Sequence, residues 1–150
     1  GASLLRRDGS VWTTDKDGIA LGLLAAEMRA RTGQDLGERF ERLTERLGKP
    51  LYRRLDLPAS AEARTALGAL DAASLGVAKL GGEDVEQALS RAPGNAAAIG
   101  GVKLVAKSGW VAVRPSGTED IAKVYAESFR DEAHLESLLL TGRELIERCT

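Results

Sequence analysis

The chain has 150 residues, 43% of them hydrophobic and 29% charged, enough for a soluble globular unit with a real core. Twenty-one basic against 22 acidic residues leave a formal net charge of -1, which argues against a dedicated nucleic-acid binder but leaves room for one local anion site. Cys149 is the single cysteine, so no internal disulfide can form, and the longest apolar stretch, Ile19 to Met28, is too short to span a membrane and contains Glu27. No signal peptide is visible, and a cytoplasmic protein without membrane or nucleic-acid partners is expected.

Gly1 to Thr14 reads as two short strands around a turn at Asp8-Gly9-Ser10, the second containing Val11 and Trp12. Asp15 or Asp17 can cap a helix running to about Arg31. Its apolar residues Ile19, Leu21, Leu23, Leu24 and Met28 spread around most of the circumference and call for burial on more than one side. Asp15-Lys-Asp-Gly18 lacks the further oxygen ligands of a calcium loop and runs straight into the helix, so calcium is rejected. Gly33 ends that helix. A second, about Leu36 to Leu47, carries Leu36, Phe40, Leu43 and Leu47 on one stripe and is stopped by Gly48 and Pro50. It is too short for a coiled coil, and its charges read as a solvated face.

Lys49 to Pro58 reads as a crossing into a second unit, with Tyr52 to Leu57 as its first strand. Arg53 and Arg54 are neighbours on a strand and so point to opposite faces; they read as solvated surface rather than a cooperating pair. Ser60 caps a helix to about Leu67, and Asp71 to Ser74 gives another helical turn. Gly76 to Gly82 reads as a strand ending in a turn, Glu83 to Ser90 as a short helix or loop, and Ala92 to Gly101 as a tight connection rather than a ligand loop. Val102 to Lys107, Ser108-Gly109 and Trp110 to Val113 form a hairpin, and Ile121 to Ala126 is a further strand.

Asp131 caps the last helix, whose inner side holds Leu135, Leu138, Leu139, Leu145, Ile146 and Cys149, with Gly142 allowing close packing. Cys149 there reads as a small apolar residue rather than a nucleophile. His134, the sole histidine, lies in the first turn and is expected to be exposed. No Ser-His-Asp arrangement, zinc cluster or metal-ligand spacing can be built. From Tyr52 onward the order of elements indicates an α+β domain, antiparallel strands with helices on one face.

Between the hairpin and the next strand lies Arg114-Pro-Ser-Gly-Thr-Glu119. Arg114 offers a planar fork that can hold a phosphate through two hydrogen bonds. Ser116 and Thr118 add hydroxyls, and Gly117 lets the backbone turn tightly and aim successive N–H groups at an anion. The stretch is not the Gly-rich loop of nucleotide hydrolases, which ends in Gly-Lys-Ser/Thr. On the residues alone two readings stay open, an oxyanion clamp and an ordinary turn with a solvated arginine.

The stretch resembles the phosphate-binding loop in the last domain of the α-D-phosphohexomutases. Gly1 to Gly18, Ala92 to Gly101 and Lys123-Val-Tyr-Ala-Glu-Ser-Phe129 resemble segments of the bacterial phosphoglucomutase subgroup in the same order, so the likeness covers essentially the whole chain. It implies that residues 49–150 form the fourth, phosphate-binding domain, similar to the TATA-binding-protein fold but without its DNA function, and that residues 1–48 are the helical tail of the preceding α/β domain. It also implies a parent enzyme interconverting glucose 1-phosphate and glucose 6-phosphate through a phosphoserine and glucose 1,6-bisphosphate, assisted by Mg2+ held outside this chain.

Carried onto this sequence, Arg114, Ser116, Gly117 and Thr118 would clamp the phosphate that is not reacting. Lys123 would add charge, its other reading being a solvated strand lysine. Lys16 resembles an active-site lysine, or is a helix-entry lysine in solvent. Glu119 would hold Arg114 or cap the turn. Neither a Ser-His-Asn-Pro-like phosphoserine loop nor an Asp-Gly-Asp-x-Asp-Arg metal loop is present, and the chain starts at Gly1 without Met. A fragment is therefore expected, inactive by itself, with a hexose phosphate and the remaining domains of the parent as partners. A stand-alone anion-binding module and a purely structural piece remain the alternatives.

Overall fold

The computed structural model describes residues 4–12 and 17–149. Its contacts divide the chain into two compact units, Gly1–Lys49 and Pro50–Thr150. In the first, an isolated bridge joins Leu5 to Val11 around the Asp8 turn, where the Asp8 carboxylate accepts from the Ser10 N–H at 2.9 Å. Helix α1, Gly18–Thr32, starts at Asp17, whose side chain accepts from the Ala20 N–H, and ends at Gly33 with φ 68°. Helix α2, Leu36–Leu47, opens with a full capping box between Asp35 and Glu38. Neither helix has a fully buried residue; Ile19, Phe40, Leu43 and Leu47 are all exposed.

The second unit is an α+β fold. Its strands are β1 (Leu51–Pro58), β2 (Lys79–Leu80), β3 (Glu83–Arg91), β4 (Ala98–Ala106), β5 (Gly109–Pro115) and β6 (Ile121–Ser128). They form one antiparallel sheet in the order β1-β6-β5-β4-β3-β2. Helices α3 (Ala61–Gly68) and α4 (Glu132–Glu147) cover one face, with a 3-10 turn at Ala72–Ser74. Strict alternation decides which face: Val102, Leu104 and Ala106, then Val111 and Val113, then Ala122, Val124 and Ala126 are all buried under the helices. Helix α4 answers with Leu135, Leu138, Leu139, Leu145 and Ile146. A Cβ on Gly142 would stand 2.4 Å from Val124 Cγ1, so this glycine sets how closely α4 approaches the sheet.

Three expectations are corrected. Glu83 to Ser90 is neither helix nor loop but most of β3, because pairing with β4 overrides the helix-forming character of Glu, Gln and Ala. Within Gly76 to Gly82 the strand is confined to Lys79–Leu80, and the turn expected at its end falls on Gly81-Gly82. His134 is buried, not exposed: Gly81 and Gly109 leave it room, since a Cβ on either would stand 2.4 and 3.2 Å from its ring. Its Nδ1 lies 2.8 Å from the Ser128 hydroxyl, and Ser128 itself is wholly buried, so this Ser-His contact ties α4 to β6 and offers no substrate a nucleophile. Arg53 and Arg54 do lie on opposite faces and stay at the surface, 38% and 42% exposed; Arg53 pairs there with Glu132 and Glu136 of α4, and Arg54 with Asp56.

Candidate phosphate site

The pair Pro115↔Ala122 is the last rung between β5 and β6, and Ser116 to Asp120 turn the chain between them. The turn is held from several directions. The Ser116 N–H donates to the Ile121 carbonyl at 2.9 Å, and the Ala59 N–H, just past β1, donates to the Asp120 carbonyl at 3.1 Å. From α3, Arg64 donates to the Glu119 carbonyl at 3.0 Å and to the Asp120 carboxylate at 2.7 Å. Pro115 lies beside α3 at Gly68. The base of the turn is therefore fixed, while Gly117 and Thr118 at the tip are exposed. Among the described residues the N–H groups of Gly117, Thr118 and Glu119 make no backbone hydrogen bond, as an anion-binding tip requires.

Arg114 and Lys123 are register partners on β5 and β6, and both point to the face without helices. Like charges placed directly across a sheet destabilise it. Lys123 is largely buried, with 18% of its side chain exposed, and its ammonium meets the Glu119 carboxylate at 3.1 Å. The same carboxylate oxygen accepts from the buried Ser116 hydroxyl at 3.3 Å. The Lys123 contact, and then the Ser116 hydroxyl, hold the Glu119 carboxyl below its ordinary value. Arg114 has no side-chain hydrogen bond or ion pair among the described residues, so its fork is free.

The turn thus brings Arg114, Ser116, Gly117, Thr118 and Lys123 together at one end of the paired strands β5 and β6. Two readings of single residues change. Lys123 is not a solvated lysine, and Glu119 holds Lys123 and Ser116 rather than Arg114. Lys16 lies outside the described residues. Beside Arg114 the open face carries a shallow groove of about 320 Å³, lined in part by Ile99, Gly101, Lys103, Trp110 and Tyr125. Lys103 sits over the Trp110 ring at 4.2 Å, and Arg54 over Tyr125 at 5.9 Å.

Sequence reasoning missed Arg64, Asp120 and Gly101 as parts of this site. Arg64 lies 55 residues from the carbonyl it binds, on a short alanine-rich helix, and nothing local announces that contact. Gly101 had a signal, the Gly100-Gly101 pair just before a strand, which marks a bulge or close backbone approach.

Residues 61–141 match the family model of the phosphoglucomutase/phosphomannomutase C-terminal domain. This is more than half of the chain, and it contains the whole turn. The chain belongs to that family. A phosphoglucomutase of Komagataeibacter xylinus is 52% identical over 146 residues, which is 97% of this chain and 26% of that protein. The chain therefore spans about a quarter of that relative's length.

No group of three or more His, Cys, Asp or Glu able to hold a metal ion occurs among the described residues. The described residues therefore do not fit a resident magnesium site. Among the described residues no helix is long and apolar enough to cross a membrane. Cys149 packs at the core's margin, and burial pushes its thiol up, away from the nucleophilic range.

Proposed function

We propose that residues 49–150 are the phosphate-gripping C-terminal domain of a phosphoglucomutase, and that residues 1–48 are the helical tail of the domain before it. In the parent enzyme the reaction would be interconversion of glucose 1-phosphate and glucose 6-phosphate, through a phosphoserine and glucose 1,6-bisphosphate, with Mg2+ and the phosphoserine supplied by domains outside this chain. The observation that carries the reading is the cross-strand pair of like charges, Arg114 opposite Lys123, beside a rigid turn with unpaired N–H groups. Such an arrangement is unfavourable by itself and favourable around an anion.

In that role Arg114 supplies the two-pronged grip, Ser116 and Thr118 supply hydroxyl donors, Gly117 keeps the tip open, and Lys123 supplies charge. The clamp would hold the phosphate that is not reacting. Binding energy spent on it orients the distant reacting end, which is how a remote contact raises a transfer rate. The name of the 52% identical relative supports glucose as the sugar.

Amide-resolved NMR titration of the chain with glucose 1-phosphate tests the reading. Saturable shifts centred on residues 116–118 that vanish in Arg114→Ala are expected, whereas no shift up to millimolar ligand would overturn a preformed clamp. The chain alone is expected to show no mutase turnover, and activity should return on mixing with the remaining domains of the parent.

A further inference from the structure

We propose that the Glu119 carboxylate is a built-in competitor of the phosphate, occupying two donors of the clamp and restricting it to dianions. The proposal rests on the clamp reading above and assigns that site a selectivity filter. One oxygen of Glu119 takes both the Ser116 hydroxyl, at 3.3 Å, and the Lys123 ammonium, at 3.1 Å. Both donors are recessed: Ser116 is buried, and the Lys123 side chain is 18% exposed. The carboxylate itself is 57% exposed, so of the three groups it is the one that can swing into water. Its backbone stays behind, because the Glu119 carbonyl is tied to Arg64 and the Asp120 side chain is tied there too. Movement of the side chain alone would clear the donors.

A ligand entering the clamp must replace one negative charge already there. A monoanion offers Lys123 and Ser116 no more charge than Glu119 does, and it meets the carboxylate's repulsion if Glu119 stays. A phosphate dianion carries more charge and three acceptor oxygens, so it can take Lys123, Ser116 and Arg114 together. Discrimination thus comes from what the site sets against the wrong ligand as well as from what it offers the right one. The returning carboxylate also re-pairs Lys123 when phosphate leaves, so release does not strand a recessed ammonium.

The test titrates the full chain with inorganic phosphate and with acetate at pH 8, as wild type, Glu119→Gln and the remote control Glu144→Gln. Glu119→Gln should bind phosphate about two- to fivefold more tightly, the size of an exposed ion pair. It should also gain measurable acetate binding, narrowing the preference for dianions, while Glu144→Gln behaves as wild type. Binding seen only in Glu119→Gln supports the proposal as well. If wild type binds phosphate and Glu119→Gln binds equally or more weakly, or if Glu144→Gln gains as much, the competitor is overturned and the clamp stands. If no variant binds phosphate, the clamp reading falls and the competitor with it. A carboxyl-detected NMR titration of wild type needs no variant. At saturating phosphate the Glu119 carboxyl should return towards its ordinary acidity, and a carboxyl that stays depressed would overturn displacement.

Discussion

Gly101 lies against the backbone of Arg114: a Cβ placed on Gly101 would stand 3.0 Å from both Cα and Cβ of Arg114 and 2.1 Å from the Val113 carbonyl oxygen. The glycine sits in the stretch of β4 where its register with β3 breaks, between Leu89↔Lys103 and Arg91↔Ala98, with φ 155°. No side chain fits there without moving β5 at the residue that carries the guanidinium. Gly101→Ala is expected to cost about 1–3 kcal/mol of stability through overpacking. It should weaken phosphate binding more than that loss of folded population explains. Urea unfolding and a phosphate titration on the same variant separate the two effects.

Arg114→Ala should behave in the opposite way. The side chain is exposed, has no partner among the described residues and faces Lys123 across the sheet, so the melting temperature should stay level with wild type or rise slightly as the like-charge pair is relieved. Glucose 1-phosphate binding should fall about tenfold to a hundredfold, the range for charge-assisted hydrogen bonds. Arg114→Lys keeps charge but not the fork and should recover only part of the loss. Calorimetric titration reads both.

Arg64 supports the turn without reaching its tip. Arg64→Leu removes donors to the Glu119 carbonyl and the Asp120 carboxylate, and should lower stability by about 1 kcal/mol. Phosphate affinity should drop as well, although Arg64 binds the base of the turn and not its tip, because the tip loses its anchor. Amide exchange at residues 117–120 should quicken in this variant, and unchanged protection there would argue against a supporting role.

Gly142→Ala sets two effects against each other. Alanine is favoured over glycine inside a helix by about 1 kcal/mol. The added methyl, however, would meet Val124 Cγ1 at 2.4 Å and Val111 Cγ2 at 3.0 Å, atoms of a tightly packed core. The clash should win, with a net loss of about 1–2 kcal/mol in a denaturant titration.

Glu83 gives a pH prediction. Its carboxylate takes the Ser108 N–H at 2.8 Å, joining the start of β3 to the β4–β5 turn, with Arg130 3.6 Å away. The hydrogen bonds from Ser108 hold its carboxyl below the ordinary 4.5. A depressed carboxylate stabilises the folded state above its unfolded value, and that contribution is lost as pH falls through the folded one. Stability should therefore decline below about pH 4.5, and Glu83→Gln should flatten that part of the curve. An unchanged slope in Glu83→Gln would assign the acid sensitivity elsewhere.

What was legible in the sequence was local. The hairpin around Ser108-Gly109, the caps at Asp17, Ser60 and Asp131, and the inner stripe of α4 follow from alternation, helical period and capping chemistry within a few residues. Strand β3 was not legible because Glu-Asp-Val-Glu-Gln-Ala has no strand alternation of its own and is made extended by β4. His134 was misplaced because the glycines that make room for it are far off in sequence. In the site, Arg114 to Thr118 could be picked out from residue chemistry and resemblance. The Glu119 contacts depend on how far Lys123 is recessed, and the Arg64 contact on the packing of α3, which a linear reading does not contain.

The pairing of β1 with β6 has a consequence for how the domain comes to exist. The first strand of the unit joins the last, and Ala59, at the end of the first, supplies a hydrogen bond to Asp120. A chain growing from its N-terminus would hold β1 unpaired until β6 had been made, since among the described residues the strand beside it in the sheet is the latest to appear. Long-range pairings of this kind are slow to form and leave edges open meanwhile. The turn between β5 and β6 would then be shaped in the closing event of folding rather than early, and a nascent domain would have no clamp until it was nearly whole.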